Sequence, residues 1–133
     1  MRRLAFGFLT ALLLASPLAA QQDPVQQTIL DQIEAFKADD FATAFTFASP
    51  TIKSIFMSPE NFGMMVRNGY PMVHRPGSVR MLEQRDVAGR LWQKVMITDQ
   101  AGRSHILDYQ MIETESGWQI NAVQLLPEPG VGA

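Results

Sequence analysis

From residue 23 onward the apolar residues recur first every three to four positions and later every second one. Val25, Ile29, Ile33 and Phe36 form one stripe, and Phe41, Ala44, Phe45 and Ala48 continue at the same spacing. That period is the signature of an amphipathic α-helix. Asp23 stands where an N-cap is wanted, and Pro24 occupies the first helical position, where its missing N–H leaves nothing unsatisfied. Gln26 sits where a capping box places its second member. Asp39-Asp40 is expected to end this helix and cap the next. Ser49-Pro50 and Ser58-Pro59 repeat one device, a serine acceptor followed by a proline without a donor. They predict short helices around 52–56 and 62–68, with Gly69 as the C′ residue that closes the second.

The stretch 70–77, with prolines at both ends, reads as a loop, and alternation then predicts strands at 79–85, 91–99, 105–113 and 118–126. Gly89, Gly102 and Gly117 each close a short polar turn between them. Short connections between successive strands make an antiparallel meander. The expected fold is therefore α+β, with N-terminal helices packed on a curved four-stranded antiparallel meander sheet. If Thr98 lies opposite Arg103, Trp92 faces Tyr109, and if Glu113 lies opposite Trp118, Tyr109 faces Ala122. One face then carries Trp92, Met96, Leu107, Tyr109, Met111, Ile120 and Ala122 and buries against the helices. The other carries Gln93, Asp108, Gln110 and Asn121, with Val95, Ile97, Ile106, Val123 and Leu125 as an exposed apolar patch. A patch of that kind marks a partner, so it is the expected interface of a homodimer or a protein complex, with Asp108 and Gln110 near its rim. A slip of one residue would exchange the faces.

The first twenty residues follow none of these periods. Arg2 and Arg3 precede an apolar run over 4–15, Pro17 breaks it, and Leu18-Ala19-Ala20 offers small residues for cleavage. This is the layout of a cleavable signal peptide. Gln21, Gln22 and Asp23 end the run too soon for a membrane span, which needs about 20 apolar residues. Residues 1–20 are accordingly read as a signal peptide, with cleavage after Ala20, and 21–133 as a single domain. The general secretory route is favoured over twin-arginine export, and the periplasm is the expected compartment. The segment 1–20 holds two of the 11 basic residues and none of the 13 acidic ones, so the rest carries a formal net charge of -4. A mildly acidic domain lacks the basic footprint of nucleic-acid binding. The absence of cysteine rules out disulfides, thiolate metal sites and cysteine catalysis. No membrane attachment is expected after cleavage. The tail from residue 127 to 133, rich in proline and glycine, is expected to fray.

The stretch from Ile33 through Phe36, Asp39-Asp40 and Phe41 to Phe45 resembles an exported family known as domain of unknown function 4864. So do Asn68-Gly69-Tyr70-Pro71-Met72-Val73 and Leu107-Asp108-Tyr109-Gln110-Met111. The resemblance covers nearly all of the chain after the signal and transfers no catalytic residue. Its order of helices followed by a curved sheet is similar to the NTF2-like (cystatin-like cone) superfamily, which hosts both isomerases and non-catalytic binders. Such folds often pair through their sheets, so the resemblance also implies a dimer. No strand is expected among the helices from the sequence itself.

Few residues carry distinctive chemistry. His74, beside Arg75, is a candidate base or ligand at a pocket mouth, against the simpler reading of a solvent-facing loop histidine. His105 begins a strand and reads as an exposed end residue. Asp108 lies mid-strand, where aspartate is depleted. Among Gln93, Gln110 and Asn121 it is either a tuned acid or base or part of a hydrogen-bonded polar patch. Adjacent Asp39 and Asp40 point about 100° apart on a helix, so a helix boundary explains them better than a catalytic pair. The methionines at 57, 64, 65, 72, 81, 96 and 111 raise a copper possibility, since thioethers suit Cu(I), but irregular spacing favours gap-filling in a core. Trp92 and Trp118 read as core anchors. Any pocket is expected near Tyr70, His74 and Arg80, where helices give way to sheet.

The leading expectation is a non-catalytic periplasmic domain without cofactor that binds a small apolar ligand or a protein partner. The first alternative is a cofactor-free isomerase or hydrolyase, with Asp108 or His74 as base and Tyr70 or Tyr109 as donor. The second is a copper-binding protein.

Overall fold

The computed structural model describes residues 23–127; the signal segment 1–20 and residues 128–133 of the tail lie outside the described residues. Among the described residues five helices precede four strands: α1 Pro24–Lys37, α2 Phe41–Thr46, α3 Pro50–Phe56, α4 Pro59–Gly69, α5 Pro71–His74, then β1 Pro76–Val87, β2 Arg90–Asp99, β3 Ser104–Thr114 and β4 Gly117–Leu126. The strands form one sheet in the order β1-β2-β3-β4, every neighbour antiparallel. The fold is α+β, helices first and meander sheet second.

The helix starts follow from the caps. The Asp23 carboxylate accepts from the Val25 N–H at 2.8 Å, Asp40 from Thr43, Ser49 from Ile52 and Ser58 from Asn61. Gln26 does not complete a capping box, because its amide reaches Gln93 on the sheet instead. Asp39 takes a left-handed φ of 57°, tolerable for aspartate, and this turns the chain from α1 into α2. Gly69 is not a left-handed closing residue; it ends α4 in helical hydrogen bonding, and Tyr70 caps with its N–H on the Val66 carbonyl. The expected loop at 70–77 is also corrected: Pro71 opens a single helical turn, α5, and β1 begins already at Pro76.

A second departure concerns the helical half. Ala48 forms a parallel bridge to Ile120. The Ser49 N–H donates to the Ile120 carbonyl and the Ile120 N–H to the Phe47 carbonyl, both at 2.8 Å. The connection between α2 and α3 thus lies along the free edge of β4, where no strand was expected. One bridge is too short to leave a period in the sequence.

The register of β2 on β3 differs by one residue from expectation. Thr98 pairs with Ser104, not Arg103, and Trp92 with Gln110, not Tyr109. The turn decides it: the Asp99 carboxylate accepts from the N–H groups of Ala101 and Arg103, and its own N–H donates to the Arg103 carbonyl. The loop therefore closes on Asp99 and Arg103. Glu113 does pair with Trp118, but an irregularity at Asn121 sets Tyr109 opposite Val123 rather than Ala122. As a result Val95 and Ile97 are fully buried beneath the helices with Leu107, Tyr109 and Met111, while Trp92 and Met96 lie on the outer face.

The expected interface is corrected accordingly. Val95 and Ile97 are core residues, Ile106 is 7% exposed, Val123 packs against the core, and Leu125 alone of the five is exposed. No apolar patch of those five residues exists on the outer face. Gln93, also expected there, is fully buried on the helix side, where its amide donates to the Leu82 and Lys94 carbonyls and accepts from Gln84.

The helices pack on one another through phenylalanines. Phe62 touches three other rings, with centroid separations of 5.2 Å to Phe45 and 5.8 Å to Phe36 and Phe56. Tilted and edge contacts at such distances are the favoured aromatic geometries. Gly63 lets α4 approach α2, since a Cβ there would meet the Phe41 ring at 2.6 Å.

Candidate functional site

The helical layer does not fill the space over β4. A cavity of about 460 Å³ remains between α3, α4 and the sheet, within the usual size of a small-molecule site. Ile52, Ile55 and Phe56 of α3 form one wall, and Phe62, Met65 and Val66 of α4 another. Tyr109, Ile120 and Val123 give the floor, and Tyr70 and Val73 close the end. The local sequence explains the opening. α3 is only 7 residues long, with no fully buried residue, so it roofs the site without sealing it. Ile55, 64% exposed, stands at the rim.

Four lining side chains are polar: Gln32, Tyr70, Tyr109 and Asn121. The Gln32 amide donates to the Ala44 carbonyl at 3.1 Å. Asn121 accepts from the Ser49 hydroxyl and donates to Gln110. The Tyr70 hydroxyl makes a long contact, 3.4 Å, to the Val123 carbonyl. Tyr109 is 1% exposed and its hydroxyl has no partner among the described residues. Burial, and secondarily the nearby Tyr70, pushes this phenol well above the ordinary tyrosine range, so it stays protonated.

The residues singled out from the sequence do not converge here. Tyr70 lines the cavity, but His74 and Arg80 do not. His74 is held by Asp39, with Nε2 2.7 Å from the carboxylate, and Arg75 grips the same carboxylate with two bonds of 3.0 Å. The other Arg75 nitrogen donates to the Phe36 carbonyl. The group ties α5 to the end of α1. His105 pairs similarly with Asp99 at 2.9 Å.

Asp108 alternates with Tyr109 and therefore faces away from the cavity. It is 5% exposed and receives both Arg85 nitrogens, each at 2.8 Å. Its partner is thus an arginine two strands away, not the amides Gln93, Gln110 and Asn121. The methionines are dispersed: Met72 and Met111 are core, Met57 and Met64 exposed. Among the described residues no group of three or more His, Asp or Glu is arranged to hold a metal, and no helix is long and apolar enough to cross a membrane.

Sequence reasoning reached only Tyr70 of this lining, because the cavity's floor on β3 and β4 lies far along the chain from its walls on α3 and α4. The one available signal was α3 itself, a short amphipathic segment between two Ser-Pro starts with too few apolar residues to cover its share of the sheet.

The family model described as a domain of unknown function (DUF4864) matches residues 18–133. The chain belongs to this family. No curated protein and no solved structure gives a significant match. Nothing in the description of DUF4864 assigns chemistry, so the site has to speak through its own residues.

Outside the cavity, acid-dependent stability is a direct test of the carboxylates that tie helix ends and the β2–β3 turn. The Asp39 carboxyl is held below the usual value of 3.8, first by its hydrogen bond with His74 and then by Arg75. Asp40 is held down by Thr43, and Asp99 by His105 first and the Arg103 N–H second. A depressed carboxylate contributes stability that is present above its unfolded-state pKa and is lost as the pH falls through the folded one. The thermal midpoint is therefore expected to hold from neutral pH to about 5 and to fall below about pH 4. Asp99→Asn should start lower and converge with wild type in acid. Two parallel curves would overturn the assignment for Asp99.

Proposed function

We propose that this DUF4864 domain is a non-catalytic binder of a small apolar ligand, exported to the periplasm by the signal read in residues 1–20, and that its helix-on-curved-sheet architecture is of the NTF2-like kind. The cavity beneath α3 carries the reading. Among the described residues twelve of its sixteen lining side chains are wholly apolar, and none is a carboxylate, histidine, lysine or arginine. Such a site favours apolar molecules by burial of their surface, at roughly 25 cal/mol per Å². General acid–base chemistry needs a titratable group within hydrogen-bond reach of the substrate, and the two candidate bases are engaged elsewhere, Asp108 with Arg85 and His74 with Asp39. The helix-first order and the bridge from Ala48 to Ile120 support the NTF2-like reading.

N-phenyl-1-naphthylamine, a neutral dye that brightens in apolar surroundings, provides the test. Wild type is expected to bind it at micromolar concentration. Ile52→Trp, which enlarges a half-buried α3 side chain into the cavity, is expected to weaken binding at least about tenfold, the loss of roughly 1.4 kcal/mol, while the circular dichroism stays native. Equal binding by the two proteins would place the dye elsewhere and refute the cavity as the site.

A further inference from the structure

We infer that the ligand of this cavity is an uncharged molecule bearing a hydrogen-bond acceptor, a carbonyl in the first instance, seated on the Tyr109 hydroxyl. The inference rests on the binding role proposed above and deepens it from an apolar ligand to a ligand with one polar atom at a defined place.

Tyr109 sits in the middle of β3, at the cavity floor, with 1% of its surface exposed. Its ring is well packed, but its hydroxyl is the one buried side-chain polar atom among the described residues that finds no partner. Buried hydroxyls are nearly always paired, and leaving one unpaired is unfavourable. A phenylalanine would fill the same core position without that penalty. The hydroxyl therefore has a use that the protein itself does not satisfy.

The other polar groups of the lining narrow the ligand. Gln32, Asn121 and Tyr70 already donate to Ala44, Gln110 and Val123. The Tyr109 hydroxyl is the polar group of the described lining left without any partner, and a phenol donates more strongly than it accepts, so the complementary ligand atom is an acceptor. Burial keeps the phenol protonated, which excludes a role as a phenolate partner for a cation. An anion is disfavoured because no lining residue is cationic, and an ionised group desolvated without a counter-charge is strongly destabilised. A carbonyl or similar neutral acceptor loses little on entering and regains one hydrogen bond.

A matched pair of probes tests the inference: 2-acetylnaphthalene, which has the carbonyl, and 2-isopropenylnaphthalene, which has nearly the same shape without it. Binding is titrated by calorimetry against wild type, Tyr109→Phe and Tyr70→Phe. Tyr109→Phe is expected to weaken the ketone about fivefold, one net hydrogen bond, and to leave the hydrocarbon unchanged or slightly tighter. Tyr70→Phe should leave the ratio of the two affinities as in wild type. A second measurement reads the bond itself: the carbonyl carbon of 13C-labelled 2-acetylnaphthalene bound to wild type should lie downfield of its position when bound to Tyr109→Phe, as a hydrogen bond shifts it. Binding of both probes with no selective loss in Tyr109→Phe, or the same bound carbonyl resonance in the two proteins, would overturn the inference while leaving the apolar cavity standing. Failure of both probes to bind would overturn the cavity reading and this inference with it.

Discussion

Replacing Arg85 with methionine is expected to lower folding stability by about 3 kcal/mol, the lower end of what breaking a shielded ion pair costs when one charge is left behind. Asp108 is the charge left behind. It is 5% exposed and both of its oxygens are bonded to Arg85 at 2.8 Å. Arg85 itself retains 29% side-chain exposure, which argues for the lower end of the range. The guanidinium spans from β1 across β2 to β3, so the pair also holds three strands together on a face that no helix covers. Replacing both partners, Arg85→Met with Asp108→Leu, should restore most of the loss, because no uncompensated charge remains. Urea unfolding of the two single variants and the double variant measures the coupling directly. If Arg85→Met costs less than about 0.5 kcal/mol, the pair behaves as an ordinary exposed one and its structural role fails.

Ile97→Ala is expected to cost about 3 kcal/mol, as deletion of a fully buried isoleucine side chain does when the cavity cannot collapse. Ile97 is fully buried, level with Val79 of β1 and His105 of β3. The measurement also reports on register. With Thr98 opposite Arg103, Ile97 would lie on the outer face, and its truncation would change stability by no more than about 0.5 kcal/mol, as ordinary surface substitutions do. The complementary change, Met96→Ala, should be much milder, since Met96 is only half-buried on the outer face. Denaturant midpoints with Met96→Ala costing more than Ile97→Ala would invert the faces and refute the present arrangement.

The helices were legible because their signals are local. A cap at Asp23, Asp40, Ser49 or Ser58 acts within three residues, and a proline acts at its own position. The strands were legible as elements because alternation survives any register. Their pairing was not, because it depends on whether Asp99 hydrogen-bonds to Ala101 and Arg103, and a turn of that length admits two closures differing by one residue. A slip at that turn exchanges the faces of every residue of β2 and puts the buried Val95 and Ile97 on the surface. Asp108 stands out in the sequence as a mid-strand aspartate, but nothing local names its partner: Arg85 lies 23 residues away. Of the expected pocket residues only Tyr70 reaches the cavity. Tyr109 was named as a donor, but a free hydroxyl is a statement about everything around it, and no local pattern records that.

The bridge between Ala48 and Ile120 has a consequence for how this protein behaves in a crowd. A sheet of four strands has two rims, and a bare rim is a template on which another chain can add a strand. At β4 the outward N–H and C=O of Ile120 are already taken by Phe47 and Ser49, so the middle of that rim is closed to recruitment. The β1 rim has no such cover among the described residues, but it breaks step between Met81 and Gln84, and Arg80, Glu83 and Asp86 put charges along it. A kinked, charged rim resists lateral growth. The chain thus guards the middle of one rim by covering it and the other rim by making it a poor match.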